Sequence, residues 1–451
     1  MNWKKRKGAA LILNQTIRNL LVFFMLAIFL FAGCQGQDIL QSIFLQDQPS
    51  IVEDIETPVP TAANLPEIEA FPTHSGFYEL VIWVPPQFDP SLETEAGKLL
   101  SARILDFLQE NPAVNLNVRV KAANGAGNLL ESLTNTEEVA PAAMPSLALL
   151  TRPDMVQAAE KNLLYPIEDI STAIDESDWY EFAREMGIHS GIVYGLPFVS
   201  NVLGLVHRNQ GFIPQAILWD DFFRLFDSIV FPGGDPDALF PLASYFSAGK
   251  RLDNQPTLHQ FDTDLFQKVL EGFYTGVQYG MLPPVVSEIQ TDEQAWEYFR
   301  QNNSKAVITW VSRFLAEEGN LSLASLPSVE GNSHTIANGW VWCLTDPEED
   351  NHAYAIKLAE YLTDAEFLKD WVQLSGYLPV HPSSLENLED QPTRELLESM
   401  LVSAILIPDQ SELNLITDDL KTAVIDIILK QTNPEEASQR IRAKMEASTA
   451  Q

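Results

Sequence analysis

Apolar and polar positions alternate between strand-like and helix-like spacing through most of the chain. Strands are predicted over residues 78–84, 114–120 and 146–150, and the last is almost wholly apolar, which is typical of a strand buried on both faces. Helices are predicted over residues 92–109 and 155–161. Repeated strand and helix alternation predicts an α/β lobe with a largely parallel sheet, whose ligands bind beyond the carboxyl ends of the strands.

Two strand-like pieces, residues 191–198 and 201–209, are joined through a polar residue, and we predict that the chain first crosses here into a second lobe. Helical patterns then dominate residues 219–300. A buried strand follows over residues 305–310 and a short strand over residues 321–326.

A second crossing is predicted over residues 327–335, after which residues 338–344 return a strand to the first lobe. A helix is predicted over residues 351–362, and the remainder is mostly helical. No repeat of the solenoid type occurs in the sequence.

The first 75 residues have a different character. Basic residues near the start precede an unbroken apolar run from Leu20 to Ala32, which is short for a bilayer span and suits the apolar region of an export signal. The run ends at Phe31-Ala32-Gly33-Cys34, which resembles a bacterial lipobox, although Phe31 stands where Leu is usual. We therefore predict a signal peptide over residues 1–33 and a lipidated Cys34; a retained membrane helix is the alternative.

Residues 34–75 are rich in proline and acidic residues, so they cannot bury enough apolar area to offset the entropy of ordering. We predict a flexible, extended tether that holds a globular body away from the membrane. Either fate of the N-terminal segment places the bulk of the chain outside the cytoplasm. With Cys34 lipidated, we expect the protein to be anchored by lipid to a bacterial cell membrane.

Composition narrows the class of partner. The chain has 451 residues, of which 46% are hydrophobic, which is enough for two lobes. Its formal net charge is -34, so nucleic acid is excluded as a partner, because phosphate neutralisation needs clustered Lys and Arg. The two cysteines are Cys34 and Cys343, and lipidation of the first leaves no intrachain disulfide. We expect Cys343, in an apolar run, to be a buried and inert thiol.

Four segments in this order resemble the family 1 extracellular solute-binding proteins, which include maltodextrin-binding proteins. They are Val193-Tyr194-Gly195-Leu196-Pro197-Phe198, the strand 305–310 with its terminal aromatic residue, Asn338-Gly339-Trp340, and Ser375-Gly376-Tyr377-Leu378-Pro379-Val380. The resemblance covers the chain from about residue 78 to its C-terminus. The sequence departs from the family at Pro145-Ser146, where Pro-Asp is common, and at Ser304-Lys305, where Gly-Lys is common, which weakens any transfer of ligand identity.

The resemblance implies an α/β, two-lobed fold of the periplasmic-binding-protein type (type II), with a hinged cleft that closes on a ligand. We assign residues 76–200 and 330–363 to the first lobe, and residues 201–329 and 364–451 to the second. It also implies a small-molecule solute, with carbohydrate preferred, the permease subunits of an ABC importer as partners, and no cofactor. We expect a monomer.

A sugar site needs flat aromatic surfaces for the ring faces and donors and acceptors for the hydroxyls. The aromatic candidates lie at strand ends or in the Gly-Tyr-Leu-Pro turn: Trp83, Trp310, Trp340 and Tyr377. An aromatic residue at a strand end can equally be core, and Trp342 is assigned to the core. The other candidates follow predicted strands or lie at the crossings: Gln87, Arg152, Asp154, Asn201, Arg313, Asn338 and Gly339.

Three of these candidates have alternative roles. Asp154 could instead cap a helix, and Arg152 and Arg313 could form surface ion pairs in an acidic chain. If both arginines faced the cleft unpaired, a carboxylate or phosphate ligand would be favoured.

Enzymatic motifs are missing from the sequence, which has no Gly-x-Ser-x-Gly elbow, no His-Glu-x-x-His pair and no phosphate-binding loop, and its histidines include no i, i+4 pair. We therefore predict a non-enzymatic importer receptor. A lipid-anchored sensor without its own permease and an exported carbohydrate-active enzyme remain the alternatives, since two glycosidase carboxylates need not be close in sequence.

Overall fold

The computed structural model describes residues 78–208, 217–249 and 261–449, apart from residues 303, 318, 330, 332 and 389. The predicted signal peptide, Cys34 and the tether lie outside the described residues. Within the described part of the chain, no helix combines the length and the apolar character needed to cross a bilayer.

The strands among the described residues are β1 (Tyr78–Val84), β2 (Val114–Val120), β3 (Leu147–Thr151), β4 (Ile188–His189), β5 (Ile192–Val193), β6 (Gly195–His207), β7 (Ile217–Leu218), β8 (Ile229–Val230), β9 (Ala306–Trp310), β10 (Ser322–Ala324), β11 (Pro327–Ser328), β12 (Thr335–Leu344) and β13 (Ala404–Leu406).

The α-helices among the same residues are α1 (Glu95–Glu110), α2 (Leu129–Val139), α3 (Arg152–Glu160), α4 (Glu181–Met186), α5 (Trp219–Leu225), α6 (Leu239–Gly249), α7 (Thr263–Gln278), α8 (Asp292–Gln301), α9 (Val311–Leu315), α10 (Glu349–Leu362), α11 (Ala365–Ser375), α12 (Gln391–Val402), α13 (Gln410–Ile428) and α14 (Pro434–Thr449).

One mixed sheet runs through the protein in the order β2-β1-β3-β12-β6-β9-β8, with β10 paired to β6 and β13 to β12. The flanking pairs β1–β2, β1–β3 and β8–β9 are parallel, as a strand–helix–strand pattern predicts. The pairs β3–β12, β12–β6 and β6–β9 are antiparallel, because β6 leaves the first half of the sheet and β12 returns to it. The largely parallel sheet predicted from the sequence is therefore mixed at its centre.

Strand β6 is the first crossing. The sequence predicted two strand-like pieces here, but the structure has one strand of 13 residues, whose first part pairs with β12 and whose last five residues pair with β9. The pairing of β6 with β12 shifts register between Trp340 and Val341, which marks a β-bulge at the crossing.

Two large hydrophobic cores flank the crossing, and we call the elements around each core the first and second lobe. The first core includes Leu80, Leu149 and Phe198, and the second includes Leu205, Ile308 and Phe273. In the second lobe the sheet is covered on both faces. Successive residues of β9 alternate between two sides, as the two-residue period of a strand requires. Ile308 faces the second core, and Val307 faces a smaller hydrophobic cluster that includes Trp296 and Phe299 of α8.

Helices α11 and α12 pack in the first core, whereas the sequence assigned residues 364–451 to the second lobe. Phe367, Trp371 and Leu397 lie in the first core, and Trp371 Nε1 donates to the Ala96 carbonyl of α1 at 2.9 Å. The amphipathic pattern of α11 predicts a buried face but not which core will bury it. The chain enters the second lobe after α12, where β13 pairs with residues 335–337 of β12.

Candidate functional site

Strands β6, β9 and β12 bury nearly every residue, and the exceptions coincide with predicted site residues. Asn201 is the only residue of β6 that is not buried, Trp310 is the only one of β9, and Asn338 and Trp340 are the only two of β12. Asn201 lies opposite Asn338, and Leu203 lies opposite Trp310. Residues two apart on a strand lie on the same face, so Asn201, Trp310, Asn338 and Trp340 share one face of the sheet.

Trp340 and Tyr377 lie together over Phe88. The Phe88 ring is 5.4 Å from Trp340 and 5.1 Å from Tyr377, measured between ring centroids, and Phe88 itself is buried. Phe88 belongs to the short 3-10 turn Pro86–Phe88 that follows β1. This turn also presents the exposed side chain of Gln87 at the same place.

The Tyr377 hydroxyl connects these groups. Burial raises its pKa, while hydrogen bonds from the side chains of Gln87 and Trp340 and the positive charge of Arg313 act in the opposite direction. Tyr377 thus stays a neutral phenol in contact with Gln87 and Trp340 and within electrostatic range of Arg313. Four predicted site residues are therefore neighbours.

Asp292 positions the strand end that carries Trp310. Thr291 caps α8, accepting a hydrogen bond from Gln294 N, and this start places the Asp292 carboxylate against the end of β9. Asp292 Oδ1 accepts from Thr309 Oγ1 at 2.5 Å and from the Trp310 backbone N–H at 3.1 Å.

Arg313 follows Trp310 on the one-turn helix α9. Its Nε donates to Asp292 Oδ2 at 3.0 Å, and its Nη2 forms a short hydrogen bond with Glu293. Burial acts to lower the pKa of Arg313, but the hydrogen bond and the charge of Asp292, followed by Glu293, prevail and raise it. Arg313 is thus a half-buried guanidinium that is neutralised within its own lobe.

A cavity of about 430 Å³ opens beside Trp310. Second-lobe residues form most of it, and the exposed Asn124, from the loop between β2 and α2 of the first lobe, faces them. Its lining residues are Asn124, Leu203, Pro232, Asp235, Pro236, Asp237, Leu239, Phe240, Gln290, Thr291, Asp292, Ile308 and Trp310. The cavity therefore combines an indole ring, amides and carboxylates between the two lobes.

Asp235 is held at the cavity wall by the start of α6. Its two carboxylate oxygens accept from the backbone N–H groups of Asp237 and Leu239, each at 3.1 Å. Burial raises the pKa of Asp235 to about 6, and the charge of Asp237 adds to this, even though the two backbone hydrogen bonds and Lys421 lower it.

Asn201 and Ser312 exchange two hydrogen bonds at the crossing. Asn201 Nδ2 donates to Ser312 Oγ at 2.7 Å, and Ser312 N donates to Asn201 Oδ1 at 3.1 Å. The Asn338 side chain accepts from the backbone N–H of Gly339. Gly339 is buried, and a Cβ there would lie 2.3 Å from the Val199 carbonyl oxygen, so this glycine allows β12 and β6 to approach.

Arg152 is buried, with 7% of its surface exposed, and its Nη2 donates to Asp409 Oδ1 at 3.2 Å. Burial lowers the pKa of Arg152, and the charge of Asp409 opposes this. His189 Nδ1 lies 3.4 Å from the other Asp409 oxygen. Arg152 is thus a buried group whose ion-pair partner, Asp409, lies between β13 and α13.

Asp154 supports the start of α3. The Thr151 side chain is the N-cap and accepts from Asp154 N, while Asp154 Oδ2 accepts from Thr151 Oγ1 at 2.9 Å. Thr151, and not Asp154, is therefore the N-cap of α3, and Asp154 contacts the cap through the Thr151 hydroxyl. Burial raises the pKa of Asp154.

Residues 102–395, more than half of the chain, match the family described as bacterial extracellular solute-binding protein. The chain belongs to this family. As an extracellular solute-binding protein it acts outside the cytoplasm. No curated protein sequence matches it significantly.

Solved structures share the fold of this solute-binding protein. The sugar-binding protein MalE from Xanthomonas citri is 18% identical with a TM-score of 0.64, covering 81% of this chain and 96% of its own. Maltose-bound MalE3 of T. maritima is 15% identical (TM-score 0.61; 82% and 99%). An ABC transporter solute-binding protein from Thermotoga lettingae bound with alpha-D-tagatose is 18% identical (TM-score 0.60; 82% and 98%). The predicted α/β, two-lobed fold is confirmed.

Trp83 lies apart from the other aromatic candidates of the solute-binding protein. It is 2% exposed, with Lys121 Nζ 4.3 Å from its ring centroid. The register of β1, β3 and β12 puts Ile82, not Trp83, on the face that carries Trp340, so the indole points to the opposite side of the sheet. The prediction that Trp83 faces the cleft is wrong, whereas Trp342, at 1% exposure, lies in the core as predicted.

The sequence did not single out the cavity residues Asn124, Asp235, Asp237 and Asp292. They lie in loops or at a helix start and make no motif together. The available signal was the turn-rich stretch Pro232-Gly233-Gly234-Asp235-Pro236-Asp237 directly after β8, since loops at strand ends build sites in α/β proteins.

Proposed function

We propose that this solute-binding protein captures a carbohydrate, or a similar small polar solute, in the cavity beside Trp310 and presents it to an ABC importer. Trp310 carries the proposal. It is the partly exposed end of an otherwise buried strand, and it lines a cavity whose other walls supply amide and carboxylate groups. An indole face suits a sugar ring, and amides and carboxylates suit its hydroxyls. The sugar ligands of the structural relatives support the same class.

The arginines of the site favour a solute without a carboxylate or phosphate group. Arg313 is paired with Asp292 and Glu293, and Arg152 with Asp409. An anion would have to displace these carboxylates from part-buried ion pairs, which is costly. We therefore retain Asn201, Asn338, Trp340, Tyr377 and Gln87 as candidate contacts for an uncharged part of the solute. The first three share one face of the sheet with Trp310, and Tyr377 and Gln87 lie beside Trp340.

Closure supplies the signal to the permease. A solute in the cavity contacts Asn124 from the first lobe and Trp310 from the second, so it binds more tightly when the two approach. Differential affinity of this kind shifts the population toward the closed state, which permease subunits can recognise. We propose that the protein acts as a monomer tethered through lipidated Cys34 and that it does not turn over its ligand.

Titration of the full chain in detergent with neutral sugars, polyols and organic anions tests the binding proposal. Tryptophan fluorescence and calorimetry should show saturable binding of a neutral carbohydrate, and Trp310→Ala should weaken it about tenfold or more. Tyr274→Ala, which truncates a side chain 37% exposed on α7 and outside the cavity, should leave affinity unchanged. Binding only of phosphorylated or carboxylated compounds would overturn the neutral-solute proposal.

Three further measurements separate the alternatives. Permease genes beside the coding sequence would support an importer over a stand-alone sensor. Release of shorter products from a bound oligosaccharide would establish an enzyme. A Cys34→Ser variant that still fractionates with membranes would refute the lipid anchor.

A further inference from the structure

The cavity beside Trp310 has an acidic wall. The carboxylates of Asp235, Asp237 and Asp292 line it, together with the amides of Asn124 and Gln290. Among the described residues that line the cavity, none is lysine, arginine or histidine. A solute in this cavity therefore meets carboxylates without an opposing cation in the wall.

The carboxylates differ in how far their charge is offset. Asp292 is bound by Arg313, but Arg313 is shared with Glu293, so these three side chains together keep one negative charge. Asp235 accepts two backbone N–H groups, which are dipoles and carry no net charge. Asp237 accepts from Gln410 Nε2 at 3.4 Å, and no ion pair joins it to another described residue.

Asp235 shows the cost of this arrangement. Burial and the neighbouring charge of Asp237 raise its pKa to about 6 although two backbone donors favour its ionised form. A positive charge placed between Asp235 and Asp237 would reverse that balance, since an opposite charge at contact distance favours the ionised carboxylate. A hydroxyl group can accept or donate a hydrogen bond there but cannot compensate the charge.

Trp310 adds a second feature that suits a cation. Its half-buried indole forms part of the same cavity, and the face of an indole attracts an ammonium group as well as a sugar ring. Carboxylates and an aromatic face within 430 Å³ are therefore complementary to one small molecule that carries hydroxyls and an ammonium group.

We propose that the solute of this cavity is an aminated sugar or polyol, with its protonated amine between Asp235 and Asp237 and its ring against Trp310. This inference rests on the proposed carbohydrate binding and specifies its substrate class. Neutral sugars bind the same cavity more weakly, and anionic sugars are excluded by the wall.

Matched sugars that differ in the amine test the proposal. Calorimetry on the full chain at about pH 6 would compare glucosamine with glucose, and chitosan oligosaccharides with cello-oligosaccharides of equal length. We expect the aminated member of a pair to bind about tenfold more tightly. Asp237→Asn should reduce that preference to within about threefold, whereas Asp227→Asn, an exposed carboxylate outside the cavity, should preserve it.

The outcomes distinguish the two proposals. Equal affinity within the pairs, a preference for the neutral member, or a preference that survives Asp237→Asn would overturn the inference while leaving carbohydrate binding intact. Failure of every neutral and aminated sugar to bind would overturn both. Binding of the amines by Trp310→Ala with unchanged affinity would show that they bind elsewhere, and this too would overturn the inference.

Discussion

Asn201 and Ser312 form a reciprocal pair of hydrogen bonds, 2.7 and 3.1 Å long, across the point where β6 passes between the two cores. Asn201 is the one polar, partly exposed residue in the middle of a buried strand, and Ser312 belongs to the turn of helix that follows Trp310. The pair therefore fixes the Trp310 strand end relative to the crossing.

Replacing Asn201 with alanine removes both bonds and leaves the Ser312 backbone N–H without its partner. We expect the free energy of unfolding to fall by about 1–3 kcal/mol. Thermal melting of the full chain in detergent would measure the loss. Asn387→Ala, which removes an exposed hydrogen bond to Asp370, is the matched control and should change stability by no more than about 0.5 kcal/mol. Similar melting of the two variants would contradict the structural role of Asn201.

Asp292→Ala should be more damaging than Asp292→Asn. Alanine removes the acceptor for Thr309 and for the Trp310 backbone and also the ion pair of Arg313, so a loss of about 2–4 kcal/mol is expected. Asparagine keeps one side-chain acceptor, and its cost should be about half. Glu293→Gln removes only the more exposed partner of Arg313 and should cost less than about 1 kcal/mol. Equal melting temperatures of the alanine and asparagine variants would show that the hydrogen bonds to Thr309 and Trp310 do not contribute to stability.

Gly339→Ala should destabilise the crossing. The added Cβ would meet the Val199 carbonyl oxygen at 2.3 Å and Met186 Sδ at 2.5 Å, so β12 and β6 would have to separate, at a cost of about 2–3 kcal/mol or more. Denaturant unfolding would measure it. Gly280→Asn is a suitable control, because Gly280 has a φ of +75° with no heavy atom within 4 Å of the added Cβ, and Asn tolerates that conformation. A larger loss in the control would contradict the packing argument.

Asp235 should make stability depend on pH. Its pKa is about 6 in the folded protein and 3.8 ordinarily, so its contribution is fully present below pH 3.8 and is lost as the pH rises through about 6. Asp235→Asn removes this titration. The stability of the variant relative to the wild type should therefore rise by about 2–3 kcal/mol between pH 4 and pH 7, as measured by melting at both pH values.

Asp418 provides the opposite case. Its hydrogen bond and ion pair with Lys421 lower its pKa, so its contribution is present above its ordinary pKa and is lost as the pH falls. Asp418→Asn should therefore change relative stability in the reverse direction. A pH-independent difference between Asp235→Asn and the wild type would refute the perturbed carboxyl.

The sequence predicted local elements well where the pattern had one explanation. Strands β1 and β2 begin and end at the predicted residues. Strand β3 is displaced by one residue at both ends, and β9 begins one residue later than predicted. The sequence prediction failed where the outcome depends on which strands or helices pack together, which a local pattern does not specify. The direction of Trp83 depends on the register of three strands, and the core that receives α11 depends on long-range packing.

The site shows the same division. Trp310 could be proposed because it ends an apolar strand, and Trp340 because it follows Asn338 and Gly339 in another. Asp237 and Asn124 are separated by more than a hundred residues, and only the fold brings them to one cavity. Arg152 and Arg313 both form ion pairs, for which an acidic chain offers many carboxylates, but Arg152 is buried, so its pair is not on the surface as the alternative assumed.

The bulge beside Trp340 affects how the molecule can flex. Strands β6 and β12 run without a break from the first lobe to the second. A change in the angle between the lobes therefore requires these two strands to bend or twist. Torsion concentrates where pairing is interrupted, and that position is the register shift at Trp340. Bending at this position would therefore change the orientation of Trp310, in the second lobe, relative to the Trp340 indole, which packs on Phe88 of the first core.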